Sequence, residues 1–240
     1  MGEASNKSTE RQNLKSLVYP LRVIVSPFKA FRDITQNPNI IGFLLTVGLF
    51  LLAAVVSEYI RASKIILDAQ TQSTSLLNSS FFGSSLLSVL AQSFFSFLLS
   101  WITYAGVLFF VSRFFGDKSG SLRPFLVIVG YAFSALVVYY AITAVLIATL
   151  PEIHFEMTTW TSGKSEDVNK VFNEMWGSTF ASQASNYLGI AYQFWLIALG
   201  SIVVHTSRAV VKWGSALMVS VTAYFASVLI TTFLSLLTFT

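Results

Sequence analysis

Glu58 and Arg61 stand three residues apart at the end of an apolar run, a spacing that sets a carboxylate and a guanidinium on one helix face. An interfacial ion pair is the expected role, ahead of a gate or substrate contact. His154 follows Pro151 and Glu152, and His205 precedes Arg208 at the end of another apolar run. The spans derived below put the two imidazoles on opposite sides of a membrane, so they cannot share a metal. No His-Glu-x-x-His motif accompanies them. Glu152, Glu156, Glu166, Asp167 and Glu174 fall in one segment and read as a solvated acidic loop rather than a cation site. The chain has no Cys, which removes thiol nucleophiles, zinc–thiolate sites and iron–sulfur clusters. No Gly-x-Ser-x-Gly elbow occurs, and Gly116 to Gly120 lacks the Gly-Lys-Ser/Thr ending of a phosphate loop. The residues point to no catalytic, cofactor or metal site, and the expectation is a protein that is not an enzyme.

The elements around these residues explain why. Apolar residues make up 54% of the 240 and charged residues 11%, with a mean hydropathy of +0.68, too few charges to clothe a soluble domain. Crossing about 30 Å of hydrocarbon takes roughly 20 helical residues, because backbone amides in lipid must be satisfied within their own segment. Five stretches suffice, at about 40–60, 84–111, 125–150, 187–204 and 214–239. Asp, Glu, Lys and Arg are absent from all of them but the first, where Glu58 lies near the end. The second and third exceed what a bilayer requires and are expected to tilt or run past the interface. A re-entrant start at Phe81-Phe82-Gly83-Ser84 is the competing reading of the second. The predicted fold is an all-α integral membrane protein of five transmembrane helices preceded by a short amphipathic interfacial helix. It divides into a basic flank, 1–35, and a membrane domain, 36–240.

Orientation follows from the flanking cations. With the N-terminus inside, Lys7, Arg11, Lys15, Arg22, Lys29, Arg32, Arg113, Lys118, Arg123, Arg208 and Lys212 are inner, leaving only Arg61, Lys64, Lys164 and Lys170 of the 15 outside. A multi-pass protein with a cytoplasmic N-terminus and an extracytoplasmic C-terminus is expected. The first 35 residues are polar and basic, so no removed signal peptide is expected. The cations lie beside spans rather than in one stripe among aromatics, which favours the lipid bilayer over nucleic acid as partner. Asn78-Ser79-Ser80 is a glycosylation sequon in the first outer loop, making Asn78 a candidate acceptor.

Ser26 before Pro27 marks a helix start, with Ser as cap and Pro at the first helical position. A helix from Pro27 to about Thr35 sets Phe28, Phe31 and Ile34 on one face, expected to rest among lipid headgroups. Lys15, Arg22 and Arg32 would meet the phosphates, completing a candidate membrane or partner surface with Pro27, Phe28 and Phe31. Small residues four apart recur in the spans, among them Ser84 and Ser88, Ser96 and Ser100, Gly130 and Ser134, Ala216 and Ser220, Ala223 and Ser227. Such spacing allows close helix packing in a compact bundle or an oligomer. Gln92, Gln193, Tyr139 and Tyr140 are the notable polar groups within the spans. They are expected to hydrogen-bond between helices, with a pore lining as the rival.

Three groups of residues carry a family resemblance. They are Ser26-Pro27-Phe28-Lys29-Ala30-Phe31-Arg32-Asp33-Ile34 before the first span; Phe115-Gly116-Asp117-Lys118-Ser119-Gly120-Ser121 leading into Gly130-Tyr131-Ala132; and Trp195 with Ser207-Arg208-Ala209. From Leu17 onward the chain resembles the Yip1 domain family, and Gly116, Gly130, Tyr131, Trp195 and Ser207 are the positions that match its motifs. The resemblance implies a polar N-terminal region followed by five helices. In eukaryotes the family is associated with early secretory trafficking and Rab-type GTPases; this short N-terminus looks like that of a prokaryotic, archaeal-type member. Members often carry a Pro after the Gly-Tyr, where this chain has Phe133-Ser134-Ala135-Leu136, so no proline is present to kink the third span. The expected function is a non-enzymatic membrane scaffold or adaptor organising protein or lipid partners, such as a homo-oligomer or a complex. The alternatives are an accessory subunit of a larger membrane complex and a passive pore or transporter for small solutes or lipids.

Overall fold

A computed structural model describes residues 17–68, 73–75, 80–115, 120–156, 174, 176–208 and 210–238. Helix α1 occupies residues 17–25 and α2 Pro27–Gln36, followed by α3, Ile40–Ser63. Two short strands, β1 (Ile65–Asp68) and β2 (Ser73–Ser75), precede α4, Ser80–Phe114. Next come α5 (Leu122–Ala132), α6 (Ser134–Ala148), β3 (Ile153–Glu156), α7 (Phe180–Ser207) and α8 (Trp213–Thr238).

Among the described residues, five helical stretches are long and apolar enough to cross a membrane: Ile40–Ser63, Leu86–Phe114, Leu122–Ala148, Phe180–Ser207 and Trp213–Leu234. The fold is therefore the expected all-α membrane class, with a short helix ahead of the first span. Helix α4 is continuous over 35 residues, with no re-entrant turn at its start. At 1.5 Å per residue it measures about 50 Å, longer than the hydrocarbon needs. The fourth span begins earlier than Tyr187, because Phe180 to Asn186 is uncharged and nothing in it stops a helix.

The third span is broken at Phe133 although no proline lies near the break, Pro124 sitting in the first turn of α5. Phe133 adopts φ −71°, ψ −3°, and its N–H donates to Gly130 O at 3.2 Å, tightening the turn before α6 begins. Ser134 Oγ donates to Tyr131 O at 2.7 Å, supplying a carbonyl at the break with a partner. A Gly and a Ser at this spacing replace the missing ring as the cause of the interruption.

The chain forms two compact units. The first comprises Met1–Phe50, Phe95–Val137 and Tyr192–Thr240. Its core is aromatic: Phe97 stacks on Phe50 at 5.0 Å, and Phe133 meets both Phe97 and Tyr104 edge-on. Gly130, Ser134, Ala216, Ser220, Ala223 and Ser227 are buried, as their small-residue spacing predicts. Ser96 is exposed and Ser100 half-buried.

The second unit comprises Leu51–Phe94 and Val138–Ala191. It contains a sheet that the sequence reading missed. Strand β1 pairs antiparallel with β2 and parallel with β3, in the order β2-β1-β3. Strands of three or four residues cannot stand alone. Ile65, at the start of β1, is buried against Ile147, Leu150 and Ala181, with Ile60, Leu146 and Trp176 around them. In the same unit Arg61 donates from Nε to Glu58 Oε2 at 2.8 Å and from Nη2 to Glu58 Oε1 at 2.6 Å, a two-pronged ion pair on α3.

Candidate functional site

Helix α2 begins at Pro27, whose fixed φ suits the first helical position and whose missing N–H costs nothing there. Ser26 precedes it, but its side chain makes no capping hydrogen bond; its backbone carbonyl instead accepts from Ala30 N–H at 3.0 Å. The face of α2 differs from the predicted one. Ala30, Phe31 and Ile34 are buried, and α2 packs against α5. Phe31 and Ile34 therefore face protein rather than headgroups. Phe28 is 50% exposed and meets Trp213 edge-on at 5.3 Å. Three residues turn a helix through about 300°, so Phe28 stands about 60° from Phe31 around the axis, and the protein covers the Ala30, Phe31 and Ile34 side. Arg32 is exposed.

Helix α5, against which α2 packs, carries the motif residues Gly130 and Tyr131. Gly130 is buried, and a Cβ at this position would overlap the ring of Phe43. Tyr131, fully buried, donates its O–H to Asn39 O at 2.6 Å and meets Tyr19 edge-on at 6.1 Å. Asn39 Oδ1 accepts from Ile41 N–H at 2.8 Å, so this one residue starts α3 and ties it to α5. Trp101 Nε1–H donates to Leu126 O at 2.9 Å, joining α4 to α5. Ser207 closes α7, its Oγ donating to Val203 O at 2.6 Å, and Trp195 is 40% exposed. Arg208 is buried with its guanidinium 5.0 Å from the Phe109 ring centre and 5.5 Å from that of Phe125. Gly120 lies against the same guanidinium with φ +86°, a conformation that favours glycine. Lys15, Gly116 and Asn78 lie outside the described residues.

In front of the motif core opens a cleft of about 1200 Å³. Helix α1 contributes Val18, Tyr19 and Arg22; α2 contributes Asp33 and Gln36; the turn into α3 adds Asn37 to Ile40; and α5 adds Arg123, Pro124 and Val127. Arg22 Nη1 stands 3.4 Å from Asp33 Oδ2, a loose pair with both side chains over a third exposed. Burial, and then the Asp33 carboxylate, push the Tyr19 phenol above its usual pKa, while Arg22 pulls the other way. Of the candidate membrane or partner residues proposed from sequence, only Arg22 lines this cleft. Arg123 was expected only as an orienting cation and Asp33 only as part of the family motif, while Tyr19 and Asn39 were not foreseen; the one signal for Asn39 was its place after Pro38, a helix-start pattern.

Among the described residues no three His, Cys, Asp or Glu side chains gather to hold a metal. Gln92 on α4 and Gln193 on α7 are exposed rather than turned between helices, and neither forms a hydrogen bond among the described residues. Within the described part of this chain these two amides do not make the predicted hydrogen bonds between helices. Each amide sits within a span, so in a bilayer it faces lipid or a neighbouring protein.

No curated protein and no solved structure matches the chain. Compared with protein families, residues 21–234 match the Yip1 domain. The match starts just before α2 and takes in Gly130, Tyr131, Trp195, Ser207 and all five spans, and the chain is therefore a multi-pass membrane protein of the Yip1 domain family.

Proposed function

We propose that this protein is a non-enzymatic scaffold or adaptor that assembles with other membrane helices, either a second copy of itself or subunits of a larger complex. The observation that carries the reading is the outward placement of Gln92. A side-chain amide with no hydrogen-bond partner in hydrocarbon costs free energy, and polar side chains in lipid associate helices by on the order of 1 kcal/mol each. Ser88 lies one turn away and is also exposed, which allows a neighbouring backbone to approach. Gln193 repeats the situation on α7. The distribution of Lys and Arg supports a cytoplasmic N-terminus and an extracytoplasmic C-terminus, which places α2 and the adjoining cleft at the inner surface.

The absence of Cys makes the test direct. A single Cys at Ala91, beside Gln92 and exposed, carries a short photo-crosslinker in native membranes. Discrete protein adducts, weakened by Gln92→Leu, are the expected result. Adducts to lipid alone would defeat the proposal.

A further inference from the structure

Helices α3 and α5 open the first and third spans, and alternate spans enter the membrane from the same face. The turn into α3 and the start of α5 therefore meet at one interface, and the cleft they share with α1 and the end of α2 lies at headgroup level. Its charges are Arg22, Asp33 and Arg123, which leaves one positive charge uncompensated. Arg22 reaches Asp33 through Nη1 at 3.4 Å, longer than a strong charge-assisted hydrogen bond. Arg123 is exposed and forms no ion pair among the described residues. The same cleft offers amides at Gln36 and Asn37 and an apolar wall at Val18, Ile40 and Val127. At about 1200 Å³ it is far larger than a free phosphate requires, and a mixed wall suits a ligand that is charged at one end and apolar at the other.

We infer that this cleft binds the headgroup of a phospholipid with one net negative charge, its phosphate held between Arg22 and Arg123, its polar head group against the amides and its glycerol backbone along the apolar wall. A guanidinium presents paired donors to phosphate oxygens, and basic pockets beside transmembrane helices select anionic headgroups in this way. The inference does not depend on the scaffold reading: lateral crosslinking near Gln92 can fail while lipid binding stands, and the reverse.

The test titrates the purified full-length chain in detergent with dioctanoyl phosphatidylglycerol, dioctanoyl phosphatidylcholine and inorganic phosphate, reading thermal stabilisation and retained lipid by native mass spectrometry. Phosphatidylglycerol should bind at least about fivefold more tightly than phosphatidylcholine. Arg123→Gln should lose about that factor, Arg123→Lys should lose less, and Lys29→Gln, outside the cleft, should leave affinity unchanged. Arg123 is exposed, so its variants keep the unfolding transition of the parent protein. Equal binding of the two lipids, or undiminished binding by Arg123→Gln, overturns the proposal. Inorganic phosphate binding as tightly as phosphatidylglycerol overturns the lipid assignment and marks a soluble-anion site.

Discussion

The ring of Phe43 lies against the backbone of Gly130, occupying the space in which any side chain at position 130 would begin. Two span-forming helices, α3 and α5, thereby come closer than a Cβ permits. The contact stands beside the Tyr131 to Asn39 hydrogen bond, so the Gly-Tyr pair of the family motif works as one joint between these helices. Replacing Gly by Ala inside a helix ordinarily stabilises it by up to about 1 kcal/mol. Here the overlap dominates, and Gly130→Ala should destabilise by about 1–3 kcal/mol. Unfolding in mixed micelles checks the sign, and Phe43→Ala should cancel part of the penalty when combined with it.

Three helices of the first unit meet at a buried hydroxyl pair. Tyr104 Oη and Ser220 Oγ are 2.9 Å apart, Ser220 donates onward to Ile197 O at 2.7 Å, and the phenol O–H also reaches Leu196 O at 3.3 Å. Tyr104→Phe and Ser220→Ala should each lose about 1 kcal/mol, and the double variant less than the sum, because both remove one chain of bonds. Gly200 faces the same hydroxyls, and a Cβ there would overlap the Tyr104 oxygen. Gly200→Ala should therefore exceed either deletion in the same unfolding measurement.

Arg61→Met leaves the buried Glu58 carboxylate without the two-pronged contact at 2.6 and 2.8 Å. A loss of about 3 kcal/mol is expected. Glu58→Gln combined with Arg61→Met should recover most of it, since no unbalanced charge then remains. A recovery of nothing would show that packing, rather than charge, sets the cost.

The raised pKa of Tyr19 has a defined pH signature. The folded chain favours the neutral phenol, so this contribution to stability is complete below the ordinary value of 10.0 and drains as pH climbs through the raised one. Between about pH 9 and pH 11 the thermal midpoint of the unaltered protein should fall more than that of Tyr19→Phe.

A single Cys at Lys29, an exposed α2 position, should react with a membrane-impermeant maleimide only when the cytoplasmic face is open. Labelling of intact cells would reverse the proposed orientation.

Length and charge alone determined the five spans, because a long apolar segment almost free of Asp, Glu, Lys and Arg that must satisfy its own amides has no stable option in lipid except a helix. Pro27 likewise marked the start of α2, since its ring suits one position of a helix and disrupts the rest. Tertiary structure decided what depends on neighbours distant in sequence. Which side of α2 is buried was set by α5 and not by the spacing of its phenylalanines. The outward turn of Gln92 and Gln193 depends on how their helices are rotated, which a uniformly apolar span does not encode. The sheet exists because Ile65 reaches residues more than eighty positions away around Ile147 and Ala181. The cleft, finally, needs Arg22 and Arg123 brought together across a hundred residues of chain, a proximity no local pattern carries.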